Sequence, residues 1–140
     1  MDRVGFIGLG SMGGALADRF LAAGWNLMVY DTNLSIRSAF EARGALPAQS
    51  AREIADHCDV AFACLPSTQA CLEVALGANG VASGKALRVY VETSTIGLKV
   101  AGAIAAGLAP HIGFIDAPIS GGPPGARSGT LTTMVSGERP

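Results

Sequence analysis

Short, continuously apolar runs alternate along the chain with segments of helical spacing, and this alternation limits the possible folds more than any other feature. Val4–Gly8 and Val60–Leu65 are such runs, whereas Met12, Leu16 and Phe20 recur at the interval of a helix face. Strands that are apolar on both faces are typical of a parallel sheet covered by helices. The sequence therefore predicts an α/β fold: a doubly wound, mostly parallel sheet with helices on both faces.

The same alternation continues without a repeat, a low-complexity segment or a charged linker. Further strands are predicted over Asn26–Tyr30, Arg88–Glu92, Ile112–Asp116 and Leu131–Ser136. Further helices are predicted over Arg37–Ala42 and Thr68–Leu76, after the capping pair Ser50 and Glu53, and around Val100, Ile104 and Leu108. We expect a single domain over residues 1–140.

Composition and charge exclude several classes of protein. Apolar residues make up 49% of the chain and charged residues 15%, so the chain can bury a core and is not expected to be disordered. The formal net charge of −1 gives no basic surface for nucleic acid or an anionic membrane. No apolar run approaches the length of about 18 residues that a membrane span needs, and we expect a cytoplasmic protein.

The cysteines and histidines do not indicate a metal site. Cys58, Cys64 and Cys71 lie in apolar stretches and lack the C-x-x-C spacing of a zinc site, and His57 and His111 are far apart in the sequence. We therefore expect small, buried cysteine side chains, no disulfide framework and no bound metal.

A glycine-rich motif, Gly8-Leu9-Gly10-Ser11-Met12-Gly13, joins the first predicted strand to the first predicted helix. The G-x-G-x-x-G pattern alone is weak, but this position, and Asp31 at the end of the second predicted strand, are typical of a dinucleotide-binding unit. Gly8 would allow a tight turn, Gly10 would let a pyrophosphate approach the backbone, and Gly13 would let the helix pack closely on the sheet. The helix N-terminus would offer its N–H groups to the phosphates.

Asp31 predicts which dinucleotide is bound. Its carboxylate would accept hydrogen bonds from the adenosine ribose and would repel a 2′-phosphate, so NAD is favoured over NADP. The alternative interpretation of Asp31 is an ordinary polar residue at a strand end. Arg37, about one helical turn into the element that follows Asp31, could weaken the preference for NAD, but a solvated position on a helix face is the favoured interpretation.

Three motifs together resemble the β-hydroxyacid dehydrogenase family, which includes 3-hydroxyisobutyrate dehydrogenase and tartronate semialdehyde reductase, with 6-phosphogluconate dehydrogenase more distant. They are the glycine-rich motif, the segment Glu92-Thr93-Ser94-Thr95-Ile96, and the segment from Asp116 through Ser120-Gly121-Gly122 to Leu131. The resemblance extends over the whole chain and implies a Rossmann-like fold.

The resemblance also implies roles for matching residues. The residues it assigns to the cofactor are Gly8, Leu9, Gly10, Ser11, Met12, Gly13, Asp31, Thr32, Leu65, Pro66 and Thr95, of which Thr95 would lie near the nicotinamide. Ser120, Gly121 and Gly122 would bind the carboxylate of a small substrate; without the resemblance, the segment would be interpreted as a structural turn. Pro123-Pro124 departs from the family pattern, so the geometry of this substrate loop is expected to differ.

Members of the family transfer hydride between a nicotinamide and a β-hydroxy acid or its semialdehyde, while a lysine moves the hydroxyl proton. Neither Lys85 nor Lys99 matches the motif of that lysine, which is expected beyond Pro140 together with a helical domain and a homo-oligomer interface. Residues 1–140 are therefore expected to bind NAD without turnover and to contain no catalytic residue. The alternatives are a non-catalytic NAD-binding module and a reductase of the same fold that acts on another C=O or C=N bond.

Overall fold

The computed structural model describes residues 3–138. The strands are β1 (Val4–Ile7), β2 (Leu27–Tyr30), β3 (Leu46–Pro47), β4 (Val60–Ala63), β5 (Val89–Glu92), β6 (Gly113–Asp116), β7 (Ile119–Ser120), β8 (Thr132–Thr133) and β9 (Ser136–Gly137). The helices are α1 (Ser11–Ala22), α2 (Leu34–Glu41), α3 (Ala51–His57), α4 (Thr68–Leu76), α5 (Gly97–Gly107) and α6 (Gly122–Ser128), with a 3₁₀ turn at Val81–Ser83.

The main sheet has the order β3-β2-β1-β4-β5-β6-β9. Strands β1 to β6 pair in parallel, and β9 pairs with β6 in the antiparallel direction. This confirms the predicted doubly wound, mostly parallel sheet. The strand order reverses between β1 and β4, and in open α/β sheets ligands bind in the crevice at the carboxyl ends of the strands at such a point.

Side-chain caps fix where three helices begin. Asn33 accepts hydrogen bonds from the backbone N–H groups of Ser35 and Ile36, so α2 begins at Leu34 and not at Arg37 as predicted. Ser50 caps α3, as its spacing to Glu53 predicted, and Ser67 caps α4. The predicted bounds of α4 are confirmed without change.

The core lies on both faces of the sheet. One cluster includes Ile54 and Ile104, and the other includes Phe6, Leu27 and Val29. Helix α1 buries its small residues Gly13, Ala15 and Ala17 against the sheet, whereas the predicted face of Met12, Leu16 and Phe20 is half-buried. Small side chains bring the helix axis close to the strands, and the larger ones pack around its sides.

The segment after β6 differs from the prediction. The strand predicted over Leu131–Ser136 is wrong: β8 pairs with β7, while β9 returns to the edge of the main sheet. Its apolar residues Met134 and Val135 are exposed, so no buried face holds the segment as one strand. Pro123 and Pro124 lie in the first turn of α6, where proline is tolerated because those N–H groups lack an intrahelical acceptor.

Two further findings concern the part of the chain from residue 3 to residue 138. No helix in this range is both long enough and apolar enough to span a membrane. Nor does the range contain a cluster of three or more His, Cys, Asp or Glu side chains that could hold a metal ion.

Candidate functional site

A cavity of about 800 Å³ opens at the carboxyl edge of the sheet, at the point where the strand order reverses. This volume lies within the range of about 300–1,000 Å³ that is usual for small-molecule sites. Its walls come from the β1–α1 turn, the end of β2, the start of α3, and the loop and helix that follow β4. The lining residues predicted from the sequence are Gly8, Gly10, Ser11, Met12, Gly13, Asp31, Thr32, Leu65 and Pro66.

Each of the three motif glycines in the β1–α1 turn occupies its position for a different structural reason. Gly8 has φ +90°, and a Cβ there would overlap the carbonyl oxygen of Cys64. A Cβ at Gly13 would overlap the carbonyl oxygen of Gly8, so this glycine allows the close contact of α1 with β1. A Cβ at Gly10 would meet no atom within 4 Å. Space is therefore kept free at Gly10, as a group approaching the backbone from the cavity requires.

The N-terminal turn of α1 faces this free space with its backbone donors. Gly14 N–H donates to Gly10 O at 2.7 Å, which is the first hydrogen bond of the helix. The N–H groups of Ser11, Met12 and Gly13 come before it and have no acceptor within the helix. Together with the positive end of the helix dipole, they can bind the phosphates of a dinucleotide.

The Asp31 carboxylate is held at the rim of the cavity by two backbone donors. Leu9 N–H donates to Oδ2 at 2.8 Å, and Asn33 N–H donates to Oδ1 at 2.7 Å. The first of these bonds joins the glycine-rich turn to the end of β2. Each carboxylate oxygen can accept further hydrogen bonds, so Asp31 can bind a ligand hydroxyl while it stays fixed.

Arg37 is more constrained than its predicted position on a solvated helix face. Its Nη1 donates to Ala48 O at 2.9 Å, and Nη2 lies 3.4 Å from Gln49 Oε1. The side chain is half-buried against the loop after β3. Its guanidinium therefore binds the protein's own backbone beside the cavity.

The loop after β4 forms the wall opposite α1. Cys64, Leu65 and Pro66 line the cavity, and Leu65 N–H donates to Ser94 Oγ at 2.8 Å. Cys58 and Cys71 are fully buried, as predicted, whereas Cys64 is half-buried. Burial raises the pKa of the Cys64 thiol above its usual value of 9.0, which favours the neutral form of this thiol.

A buried carboxyl group, Glu92, lies at the end of the adjacent strand β5. Its side chain is 0% exposed. Tyr90 Oη donates to Glu92 Oε2, and Ser94 N–H donates to Glu92 Oε1, each at 3.1 Å. Burial raises the pKa of this carboxyl above 4.5, and hydrogen bonds with Ser94 and Tyr90 oppose that rise. The carboxyl thus favours its neutral form more than an exposed glutamate does.

Within residues 3–138, five of the predicted site residues do not line the cavity. They are Leu9, Thr95, Ser120, Gly121 and Gly122. The Leu9 side chain is buried in the core, and its backbone N–H is bound to Asp31. Thr95 and Ser120 are exposed. Ser120 ends β7, directly before α6, and α6 packs against α1 through a hydrogen bond from Arg19 to Arg127 O at 2.8 Å.

The cavity also includes residues that the sequence analysis did not assign. They are Ile7, Tyr30, Asn33, Ile36, Gln49, Ser50, Ala51, Cys64, Ala70, Glu73, Val74 and Asn79. Most follow strands β2, β3 and β4 or begin the next helix. The rule that ligands bind at carboxyl ends of parallel strands could have identified these segments, although not the individual side chains.

Comparison with known proteins shows the family to which the chain belongs. The family described as the NAD binding domain of 6-phosphogluconate dehydrogenase matches residues 3–140. The chain belongs to this family. It is therefore a pyridine nucleotide-binding domain with a Rossmann-like fold, as the motifs predicted.

Three relatives show how far the similarity extends. The mitochondrial 3-hydroxyisobutyrate dehydrogenase of Mus musculus is 39% identical over 96% of this chain and 41% of its own length. The NAD-dependent L-serine dehydrogenase of Pseudomonas aeruginosa is 39% identical over 99% of this chain and 47% of its own length. A solved structure of Psf3 in complex with NADP+ and 2-OPP has a TM-score of 0.88 and 30% identity, covering 96% of this chain and 49% of that one.

The chain thus spans less than half the length of these two curated relatives. All of the predicted cofactor motifs lie within the matched range.

Proposed function

We propose that this chain is the cofactor-binding part of an oxidoreductase that transfers hydride between NAD and a small β-hydroxy acid or its semialdehyde. The observation that carries the proposal is the cavity bounded by the glycine-rich turn and by the fixed Asp31 carboxylate. A bound nicotinamide would supply the hydride chemistry, while the residues described here hold and orient the dinucleotide.

Two contacts favour NAD over NADP. The Asp31 carboxylate is fixed at the rim, where it can accept from ribose hydroxyls and repel a 2′-phosphate. Arg37 is the nearby cation that could counter this repulsion, but its guanidinium already binds Ala48 O and Gln49. A 2′-phosphate would have to compete with these bonds.

The substrate part of the proposal depends on the family resemblance and on the relatives. Ser120, Gly121 and Gly122 combine a hydroxyl with glycine backbone at the start of α6, which can bind a carboxylate. The named relatives are dehydrogenases of 3-hydroxyisobutyrate and L-serine, and both compounds are small acids with a β-hydroxyl group. Thr95, in the loop between β5 and α5, is proposed to lie near the nicotinamide.

Calorimetric titration with NAD+ and, separately, NADP+ tests the cofactor part of the proposal. We expect NAD+ to bind more tightly. Asp31→Asn is expected to weaken NAD+ binding about tenfold and to reduce the discrimination against NADP+, because one charged acceptor is lost. Asp56→Asn is the matched control, since Asp56 lies on α3 outside the cavity wall.

The possible outcomes separate the alternatives. Equal loss of NAD+ binding in both variants would contradict the assignment of Asp31, and tighter binding of NADP+ by the unmodified chain would contradict the preference for NAD. Serine, 3-hydroxyisobutyrate and an uncharged alcohol, titrated into the NAD+-saturated chain, test the carboxylate site. Ser120→Ala should weaken binding of the two acids, while the alcohol should not bind.

A further inference from the structure

The buried polar cluster at the end of β5 is not used by the proposed function. Its centre is Glu92, whose two carboxyl oxygens accept from Tyr90 Oη and from Ser94 N–H. Neither of the two ion pairs found within residues 3–138 involves this carboxyl. A polar group in such surroundings is costly to bury unless its hydrogen bonds are made, so the cluster requires a defined local structure.

From this cluster, hydrogen bonds continue to the neighbouring strand. Residue Glu92 lies opposite Ala63 in the parallel pairing of β5 with β4. Beyond this last pair, Thr93 N–H donates to Ala63 O at 2.9 Å, and Thr93 Oγ1 donates to the same oxygen at 2.6 Å. Ser94 Oγ accepts from Leu65 N–H at 2.8 Å. The loops after β4 and β5 are therefore joined by side-chain hydrogen bonds where the sheet itself has ended.

Only one end of this connection reaches the cofactor cavity. Leu65 and Pro66 line the cavity, whereas Tyr90, Glu92 and Ser94 do not. Glu92 does not line the cavity itself, and the hydrogen bonds through Ser94 to the backbone of Leu65 connect it to the wall.

We propose that Glu92 is a positioning residue: through Ser94 it holds the Leu65–Pro66 wall in the conformation that a dinucleotide contacts. This inference rests on the proposed cofactor function. Ser94 is 8% exposed, so its backbone N–H finds no ready substitute in solvent if the Glu92 acceptor is removed. The Ser94 backbone would then turn toward another acceptor and carry its Oγ away from Leu65 N–H.

Two measurements on four variants test the proposal. The first is the hydrogen-exchange rate of the Leu65 amide in the ligand-free chain, followed by NMR; the second is NAD+ affinity by calorimetry. Ser94→Ala and Glu92→Ala remove successive links, while Glu92→Gln keeps an oxygen that can face Ser94 N–H. Ser128→Ala is the control, because it removes a serine hydroxyl that donates to Gly125 O outside the cavity wall.

We expect Ser94→Ala and Glu92→Ala to accelerate Leu65 exchange about tenfold, as the loss of one hydrogen bond implies. The same two variants should weaken NAD+ binding by about three- to tenfold, since the wall must be reordered on binding. Glu92→Gln should restore most of both values, and Ser128→Ala should change neither. If Glu92→Ala does not fold, Ser94→Ala and Glu92→Gln still decide the question.

Three results would overturn the proposal. Unchanged Leu65 exchange in Ser94→Ala would show that the hydrogen bond does not hold the wall. A Glu92→Gln variant as impaired as Glu92→Ala would show that the carboxyl does not act by accepting from Ser94. If the unmodified chain binds neither NAD+ nor NADP+, the proposed function fails and the inference fails with it; this case is distinguished because the exchange measurements need no ligand.

Discussion

The β1–α1 turn and the end of β5 lie at the same edge of the same sheet, but their polar groups differ in how far they are hydrogen-bonded within the protein. In the turn, the first N–H groups of α1 have no acceptor within the helix, and space is free at Gly10. At the end of β5, Glu92, Thr93 and Ser94 bind one another or the backbone of the next strand. The first region leaves hydrogen-bonding capacity for a ligand, whereas the second uses its capacity to fix a neighbouring loop.

The same contrast exists inside the turn between two glycines. A Cβ at Gly13 would overlap Gly8 O, whereas a Cβ at Gly10 would meet nothing within 4 Å. Gly13 is therefore required by the fold and Gly10 by the proposed ligand. Substitutions at these positions should separate stability from binding.

Gly13→Ala is expected to have the largest effect. The added methyl group must push α1 away from β1, which should lower the free energy of unfolding by about 3 kcal/mol. Denaturant unfolding followed by circular dichroism measures this loss. Gly102→Ala is the matched control: Gly102 is an exposed position in α5 where a Cβ meets nothing, so alanine should stabilise by about 0.5–1 kcal/mol. Similar stability of the two variants would contradict the assigned role of Gly13.

Gly10→Ala should leave the fold intact and impair binding. Gly10 has φ −66°, which alanine adopts readily, and the lost preference for glycine at a helix N-cap should cost no more than about 1 kcal/mol. The methyl group would occupy the space through which a pyrophosphate approaches, so NAD+ affinity should fall about tenfold or more. Calorimetry and thermal unfolding on the same sample measure both values. Unchanged affinity would show that the dinucleotide does not bind at this turn.

At the end of β5, the prediction concerns how stability depends on pH. We expect this effect to be smaller than those of the Gly13 and Gly10 substitutions. Burial raises the pKa of Glu92 above 4.5, so the folded chain keeps this proton at pH values where the unfolded chain has released it. The contribution of Glu92 to stability is therefore fully present below about pH 4.5 and is lost as pH rises through the folded-state pKa.

Glu92→Gln lacks this titration, so its stability relative to the unmodified chain should increase as pH rises above 4.5. Burial also raises the pKa of Asp116, but this group is present in both proteins and cancels in the difference. Urea unfolding at a series of pH values gives the comparison. A difference that is independent of pH would show that Glu92 titrates normally.

The regular part of the fold could be predicted because its signals are local. An apolar run such as Val60–Ala63 needs burial on both faces, and a serine placed like Ser50 or Ser67 caps the helix that follows it. Each signal is complete within a few residues. The start of α2 was predicted too late because the Asn33 cap was overlooked, although it is equally local.

The segment after β6 could not be predicted in this way. β8 and β9 are two residues each, and they form because β7 and the edge of β6 offer unpaired backbone groups. Their side chains are exposed and have no periodic pattern. This segment is ordered by its pairing with β7 and β6, and the residues of the segment itself give no signal for that pairing.

The candidate site likewise contains residues that could be recognised from the sequence and others that could not. The motif from Gly8 to Gly13 and the acidic Asp31 were recognisable from their spacing together with their positions at the ends of predicted strands, and the structure brings them to one cavity. The proposed role of Glu92 was not recognisable, because the segment Glu92–Ile96 does not by itself show which side chains surround this carboxyl. Its importance depends on Tyr90 and Ser94 being packed around it.

Local signals in the sequence were enough to predict the alternation of the main strands and helices as far as β6, together with the glycine-rich turn and Asp31 as candidate binding residues, because these signals depend on backbone conformation and on neighbours in the chain. Which strand ends lie side by side follows from the three-dimensional arrangement of the sheet. It brings Asp31 to Leu9 and Ser94 to Leu65, contacts between residues more than twenty positions apart in the sequence. Such contacts depend on the strand order of the sheet, and they determine which polar groups remain free to bind a ligand.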